Sequence, residues 1–241
     1  MKKSILFSVL AVGATLLHAQ SITIHQTCGQ NGQVVEVQAV DLGLSVKWAN
    51  MNVGAESPED YGSYYAWGET VTKEIYDWST YFDTNDDGST FTKYNNKDGK
   101  TTLDPEDDAA HVNWGGSWRM PTEAEWQELI DNCTWTWTTQ NGIKGCKVTS
   151  NKAGYTDKFI FLPAAGQGNG SDLSLECSHG FYWSSSLGFY WSSSLYDSFY
   201  ALLLGFDSDS RYPYDYDDYY YDYDDDYDYR SCGQSVRPVL P

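Results

Sequence analysis

Basic residues are scarce in this chain: 15 Lys and Arg stand against 34 Asp and Glu, a formal charge of −19. That deficit argues against nucleic acid and against anionic membrane surfaces as partners. Histidine is equally thin. His25, His111 and His179 follow the first apolar run, and no metal-ligand spacing links them. The five cysteines, Cys28, Cys133, Cys146, Cys177 and Cys232, include no zinc-site spacing. An odd number leaves at least one thiol unpaired or intermolecular in an exported chain. Cys133 and Cys146 are candidates to bridge a hairpin, but their spacing alone leaves the pairing open. No apolar run follows the first one, so no transmembrane segment is expected in the mature chain.

The first run has a clear use. Lys2 and Lys3 precede an apolar stretch from Ile5 to Leu17, which is short for a bilayer span, and His18-Ala19-Gln20 supplies a small residue for cleavage. Residues 1–19 read as a signal peptide, which places the mature protein in the periplasm, on the cell surface or outside the cell, without a lipid anchor. Residues 20–34 are polar and Gly-containing, a flexible lead-in. Residues 35–241 then form one domain, and 10 Trp and 20 Tyr give it ample material for a core.

Along that domain, Val35 to Val46 and Lys47-Trp48-Ala49 read as strand, and Pro58 to Tyr65 as a short helix or turn. Residues 83–104, rich in Asp, Asn, Gly, Lys and Thr, read as an exposed loop. Thr122 and Glu125 form a capping box, and Trp126, Leu129 and Ile130 follow on one helical face. The alternation Thr134-Trp135-Thr136-Trp137-Thr138, the Asn141-Gly142 turn and the return from Ile143 to Thr149 predict a hairpin. Phe159 to Pro163, Phe199 to Phe206 and Ser235 to Val239 complete the strands. Helices early and strands late indicate an α+β fold of mainly antiparallel strands with one or two early helices. Gly180 to Leu187 (GFYWSSSL) recurs without change as Gly188 to Leu195, so one copy must be looped out or must extend a hairpin.

The most unusual stretch is residues 207–229, with ten Asp and nine Tyr. It lies between two apolar strands, and tyrosine is a poor component of disorder. From Tyr219 to Tyr229, five of six odd positions are Tyr and four of five even positions are Asp, which puts phenols and carboxylates on opposite faces of an extended strand. The phase breaks near Asp217-Asp218, as a turn or bulge requires. Rigid rings with hydrogen-bonding tips are what binding surfaces favour. The expected contact residues are Tyr212, Tyr214, Asp215, Tyr216, Asp217, Asp218, Tyr219, Tyr220, Tyr221, Asp222, Tyr223, Asp224, Asp225, Asp226, Tyr227, Asp228 and Tyr229. Their chemistry suits a protein or carbohydrate ligand, cationic ones included. No metal or other cofactor is expected, since the tract lacks EF-hand spacing.

Ala110 to Trp126 (AHVNWGGSWRMPTEAEW), the Tyr182-Trp183-Ser184-Ser185 element and the closing Ser235-Val236-Arg237-Pro238-Val239 resemble exported gut-bacterial proteins of the Fibrobacter succinogenes major paralogous domain group. Val40 to Leu44 and Val53-Gly54-Ala55 fit as well. The resemblance covers nearly the whole mature chain and implies a C-type lectin-like fold. The chain also resembles variable proteins diversified by retroelements that mutate adenines, whose target residues sit just before the closing strand. Tyr and Asp codons differ from Asn codons only in the first base, so a Tyr/Asp tract is what such mutation would leave. The near-absence of other outcomes is a departure from that pattern.

The formylglycine-generating enzymes share the lectin-like fold, and Arg119 to Trp126 resembles their helix signature too. Their chemistry needs two closely spaced late cysteines; here only Cys232 follows Cys177. The expectation is therefore a non-catalytic binding protein. A formylglycine-type catalyst and a self-assembling envelope subunit are the alternatives.

Overall fold

The computed structural model describes residues 21–25, 34–82, 91–174, 188–206, 208, 211–212 and 227–241. In chain order the elements begin with strands β1 (Ser21–His25), β2 (Val34–Val40), β3 (Lys47–Ala49) and β4 (Tyr64–Tyr65), then helices α1 (Ala109–Trp114) and α2 (Glu123–Asn132). Strands β5 (Cys133–Gln140), β6 (Ile143–Ser150), β7 (Phe159–Pro163), β8 (Gln167–Asn169) and β9 (Asp172–Ser174) follow. The last are β10 (Gly188–Leu195), β11 (Tyr200–Phe206), β12 (Arg211–Tyr212), β13 (Tyr227–Tyr229), β14 (Gln234–Ser235) and β15 (Val239–Leu240). The fold is α+β with mostly antiparallel sheets. One sheet runs β1-β2-β3-β15, a second β12-β11-β10-β14-β4 with β13 also on β11, and a third β5-β6-β7. Among the described residues no helix is long and apolar enough to cross a membrane.

Strands β10 and β11 separate two aromatic cores. Across this pair Tyr190 stands opposite Leu204, and Trp191 opposite Leu203. Because strand side chains alternate, Tyr190, Leu204 and Phe206 enter one core with Trp48, Trp126 and Leu162. Trp191, Ala201 and Leu203 enter the other with Val37, Trp67 and Val236. A strand buried on both faces has no polar side, hence the unbroken run Ala201-Leu202-Leu203-Leu204.

The closing segment is tied in by a buried cation. Arg237 donates from Nε to Asn52 Oδ1 at 2.8 Å, from Nη1 to Ala49 O at 3.0 Å and from Nη2 to Phe161 O at 2.9 Å. Burial lowers its pKa to about 10. Those bonds, with Pro238 beside them, interrupt the expected 235–239 strand, which is split into β14 and β15. The early and late ends of the domain then pair, Val239 with Trp48 and Gln234 with Tyr65.

Local signals translate directly in two places. Thr122 caps α2 by accepting from Glu125 N, and Glu125 accepts in return from Thr122 N at 2.8 Å. Arg119 clamps Glu125 further, donating from Nη1 to Oε2 at 2.8 Å. The β5–β6 hairpin turns on Asn141 (φ 48°) and Gly142 (φ 89°), the left-handed pair that a two-residue turn of this kind needs.

Other expectations need correction. The lead-in contributes β1, paired with β2 from Ser21 opposite Gln38 to His25 opposite Val34. The continuous strand expected from Val35 to Ala49 breaks after β2. There Asp41 Oδ1 accepts from Gly43 N at 2.9 Å, and Gly43 (φ 72°) lies so close to the Tyr155 ring that no Cβ would fit. Of the two readings for residues 58–65, helix or turn, the structure has the turn, followed by β4. The loop ending at 104 is not wholly exposed, since Tyr94 is fully buried. Of the tandem repeat, the second copy is β10; the first lies outside the described residues.

Cys133 and Cys146 do not bridge. Cys133 stands opposite Ser150 and Cys146 opposite Trp137, four positions out of register along the hairpin. At about 3.3 Å per residue that separation exceeds disulfide reach. Both are buried thiols, and desolvation pushes Cys133 up to about 11.

Two substitutions rank these constraints. Thr122→Ala is expected to cost about 1 kcal/mol in urea unfolding. Arg237→Ala should cost at least about 3 kcal/mol, because it strands the acceptors on Asn52, Ala49 and Phe161 in the core.

Candidate functional site

β10 covers one edge of β11, which leaves the other edge for both described ends of the Tyr/Asp tract. β12 pairs there with the end of β11, Tyr212 opposite Gly205 and Arg211 opposite Phe206. β13 pairs with its beginning: Tyr229 opposite Tyr200, Asp228 opposite Ala201 and Tyr227 opposite Leu202. Only Leu203 and Leu204 separate the two contacts. The two described ends of the tract therefore meet the fold at neighbouring points on a single strand edge. Of the expected contact residues, Tyr212, Tyr227, Asp228 and Tyr229 are brought together along β11. The remainder, Tyr214 to Asp226, lie outside the described residues.

The returning end arrives at an aromatic layer. Tyr229 stacks on Tyr200 with centroids 4.7 Å apart, and its edge meets Trp78 at 5.7 Å. Phe199 meets Trp78 at 6.1 Å and Phe91 at 5.2 Å. These edge-to-face contacts suit ring quadrupoles. Water still reaches the layer: Phe199 is 51% exposed, Tyr229 39%, and neighbouring Tyr196 56%. Such a surface can stack on an apolar ligand face and hydrogen-bond through phenol tips.

Arg230, the residue after β13, bolts the layer down. Its guanidinium is fully buried and packs on the rings of Phe91 (4.7 Å), Trp67 (5.0 Å), Tyr81 (5.4 Å) and Tyr94 (5.8 Å). Nε donates to Tyr81 Oη at 3.0 Å, and Nη1 to the carbonyls of Ser198 at 3.1 Å and Tyr94 at 3.3 Å. Its main chain is held as well, Arg230 N by Phe199 O at 3.0 Å and Arg230 O by Trp67 N at 2.8 Å. Stacking desolvates a guanidinium at lower cost than an ammonium. Trp78 is set by an adjacent turn in which Asp77 Oδ1 accepts from Ser79 N at 2.9 Å and Ser79 Oγ at 2.6 Å. These bonds, led by the Ser79 hydroxyl, hold the Asp77 carboxyl below its ordinary range.

Sequence reasoning missed Trp78, Phe91, Phe199 and Tyr200 as parts of this layer, and the buried Arg230 that supports it. One signal was available: Arg230 is an isolated base directly behind an acidic run.

Asp104, Glu106 and Asp107 also converge, with oxygens within 4.8 Å of one another. Asp107 Oδ2 already accepts from Lys93 Nζ at 2.7 Å and Tyr94 Oη at 2.6 Å, and Asp104 pairs with Lys100. The group serves as a turn and helix start. Cys232, the residue a thiol mechanism would need, is 3% exposed.

No family model, curated protein or solved structure matches this chain.

Arg230→Met should weaken the site before the fold. A loss of about 2–3 kcal/mol is expected, with amide exchange at Tyr200 and Tyr229 accelerating ahead of that in the β5–β6 hairpin. Equal acceleration at both places would contradict the assignment.

Proposed function

We propose that this chain is an exported, non-catalytic ligand-binding protein in which residues 207–229 form the recognition surface on a C-type lectin-like scaffold. One observation carries the reading: both described ends of the tract sit on one edge of β11, while the two cores are built by the strand's faces and by β10. The described core residues all come from outside residues 207–229, so the described cores are built without them, as a surface selected for recognition requires. Tethered ends also lower the entropy lost when such a segment engages a partner.

Further support comes from the neighbourhood. Exposed Tyr229 on β13, with Tyr196 and Phe199 in the hydrogen-bonded turn between β10 and β11, extends the tract's aromatic character onto held backbone, where contact area comes at low entropic cost. The early and closing strands pair, and the tract immediately precedes the closing segment, the place of the target residues in the diversified lectin-like proteins that the sequence resembles. Ten carboxylates among residues 207–229 favour cationic proteins or hydroxyl-rich carbohydrates. The formylglycine-type alternative gains nothing from Cys232, which is buried and has no second cysteine near it in the late sequence.

The test replaces residues 213–226 with a Gly/Ser segment of equal length and, separately, Tyr229 with Ala. Each is screened against a glycan array and a set of Lys/Arg-rich peptides. Binding seen for the parent chain should vanish in the replacement and weaken about thirty-fold in Tyr229→Ala, the size of one aromatic hot spot. Melting temperatures of the replacement should stay within about 3 °C of the parent. A large drop in melting temperature would assign the tract to the core instead. Oligomers that dissociate in moderate salt without any added ligand would assign it to self-assembly.

A further inference from the structure

The tandem repeat bears on how β10 is held. Every contact that fixes β10 is made by a residue with an identical counterpart eight positions earlier. Gly188 lies where any Cβ would strike the Phe206 ring, and the earlier copy has Gly180. Tyr190 Oη donates to Pro163 O at 2.9 Å, and Trp191 Nε1 to Tyr65 O at 2.9 Å; Tyr182 and Trp183 correspond. Ser192 Oγ donates to Leu202 O at 2.8 Å, Ser193 N to Pro121 O at 2.8 Å and Leu195 N to Thr101 O at 2.9 Å. Ser184, Ser185 and Leu187 hold those places in the first copy. The slot therefore cannot distinguish the two copies by packing, hydrogen bonding or register.

Only the flanking connections can distinguish them, and both have room. On the incoming side Ser174 stands opposite Gln167, and Gly166 bridges to Gly188. Two lateral steps of about 5 Å and one along the chain place Ser174 within about 14 Å of the strand's start. Residues 175–179 can span about 20 Å, enough to deliver Gly180 there. On the outgoing side the present register ends in a tight turn. Asp197 Oδ1 accepts from Phe199 N at 2.7 Å and Tyr200 N at 3.0 Å, and Tyr196 N donates to Tyr200 O at 3.1 Å. A chain shifted by one repeat would replace that turn with residues 188–199. Loop closure costs little for the added length, so the shift forfeits mainly the turn's own hydrogen bonds and the bond from Arg230 Nη1 to Ser198 O.

We infer that β10 is a slot with two interchangeable occupants: Gly188–Leu195 in the dominant register and Gly180–Leu187 in a minor one. Exchange carries an eight-residue aromatic insert from one end of β10 to the other, where it emerges beside Tyr196, Phe199 and Tyr229. The insert is the same peptide either way. The cores stay intact while the loop next to the aromatic layer lengthens. This holds whatever the tract binds.

Deleting either copy yields the same one-copy chain, which fixes the register and supplies the reference. In that chain, replacing the slot tryptophan (Trp191→Ala in the chain lacking 180–187) should lower the melting temperature by about 10 °C, as for a fully buried indole. In the complete chain Trp191→Ala should lose less than half as much, because Trp183 moves into the slot. The double variant Trp183→Ala with Trp191→Ala should restore the full loss. Limited chymotrypsin digestion of the complete Trp191→Ala chain should cut within 189–191 and spare 181–183. Equal losses in the one-copy and complete chains would overturn the inference. So would cleavage confined to 181–183, or failure of the one-copy chain to fold, which would mean that residues 175–179 cannot bridge the gap.

Discussion

The pairing of β10 with β11 is the constraint on which the rest of the molecule depends. Alternate residues of the two strands supply facing walls to two separate aromatic cores, so neither core can form without the pair. The outer edges of the same pair then do different work. The far edge of β10 takes β14, and the far edge of β11 takes both described ends of the Tyr/Asp tract. Both described ends of the tract are thus anchored at the margin of the most thoroughly buried part of the fold. The recognition role proposed for the tract rests on that anchoring.

A chain so poor in bases nevertheless commits two arginines to its interior. Arg230 and Arg237 bracket the closing segment, and both are fully buried. They are accommodated differently. Arg237 is surrounded by oxygen dipoles, and its pKa falls to about 10 under desolvation. Arg230 is packed among four rings and donates to a phenol and two carbonyls. Each cross-links backbone from distant parts of the chain, a task that apolar side chains cannot perform. Among the described acidic residues only Glu69, Asp107 and Asp108 are buried.

How much of this was legible in the sequence depends on the range of the interaction. The capping box at Thr122 and the Asn141-Gly142 hairpin are decided within a few residues, and both formed as the pattern predicts. The break between β2 and β3 was hidden because its cause, the Tyr155 ring against Gly43, lies more than a hundred positions away. Tyr94 sits in a polar, loop-like stretch and is buried only because Arg230 and Asp107 need its ring and hydroxyl. For Cys133 and Cys146, the hairpin was foreseen but its register was not, and four positions of offset separate two thiols that spacing made plausible partners. At the candidate site, composition marked the tract and its final tyrosine. The supporting layer of Trp78, Phe91, Phe199 and Tyr200 came from three separate segments that no local pattern connects.

Pairing of Val239 with Trp48 also governs when the protein can become itself. During synthesis the first half of both cores emerges long before the strands and the guanidinium that complete them. A loop of nearly two hundred residues must close for that last pairing, and such contacts are slow to form. Both cores therefore stay incomplete until residues 230–240 have been made, and full tertiary structure is deferred to that point.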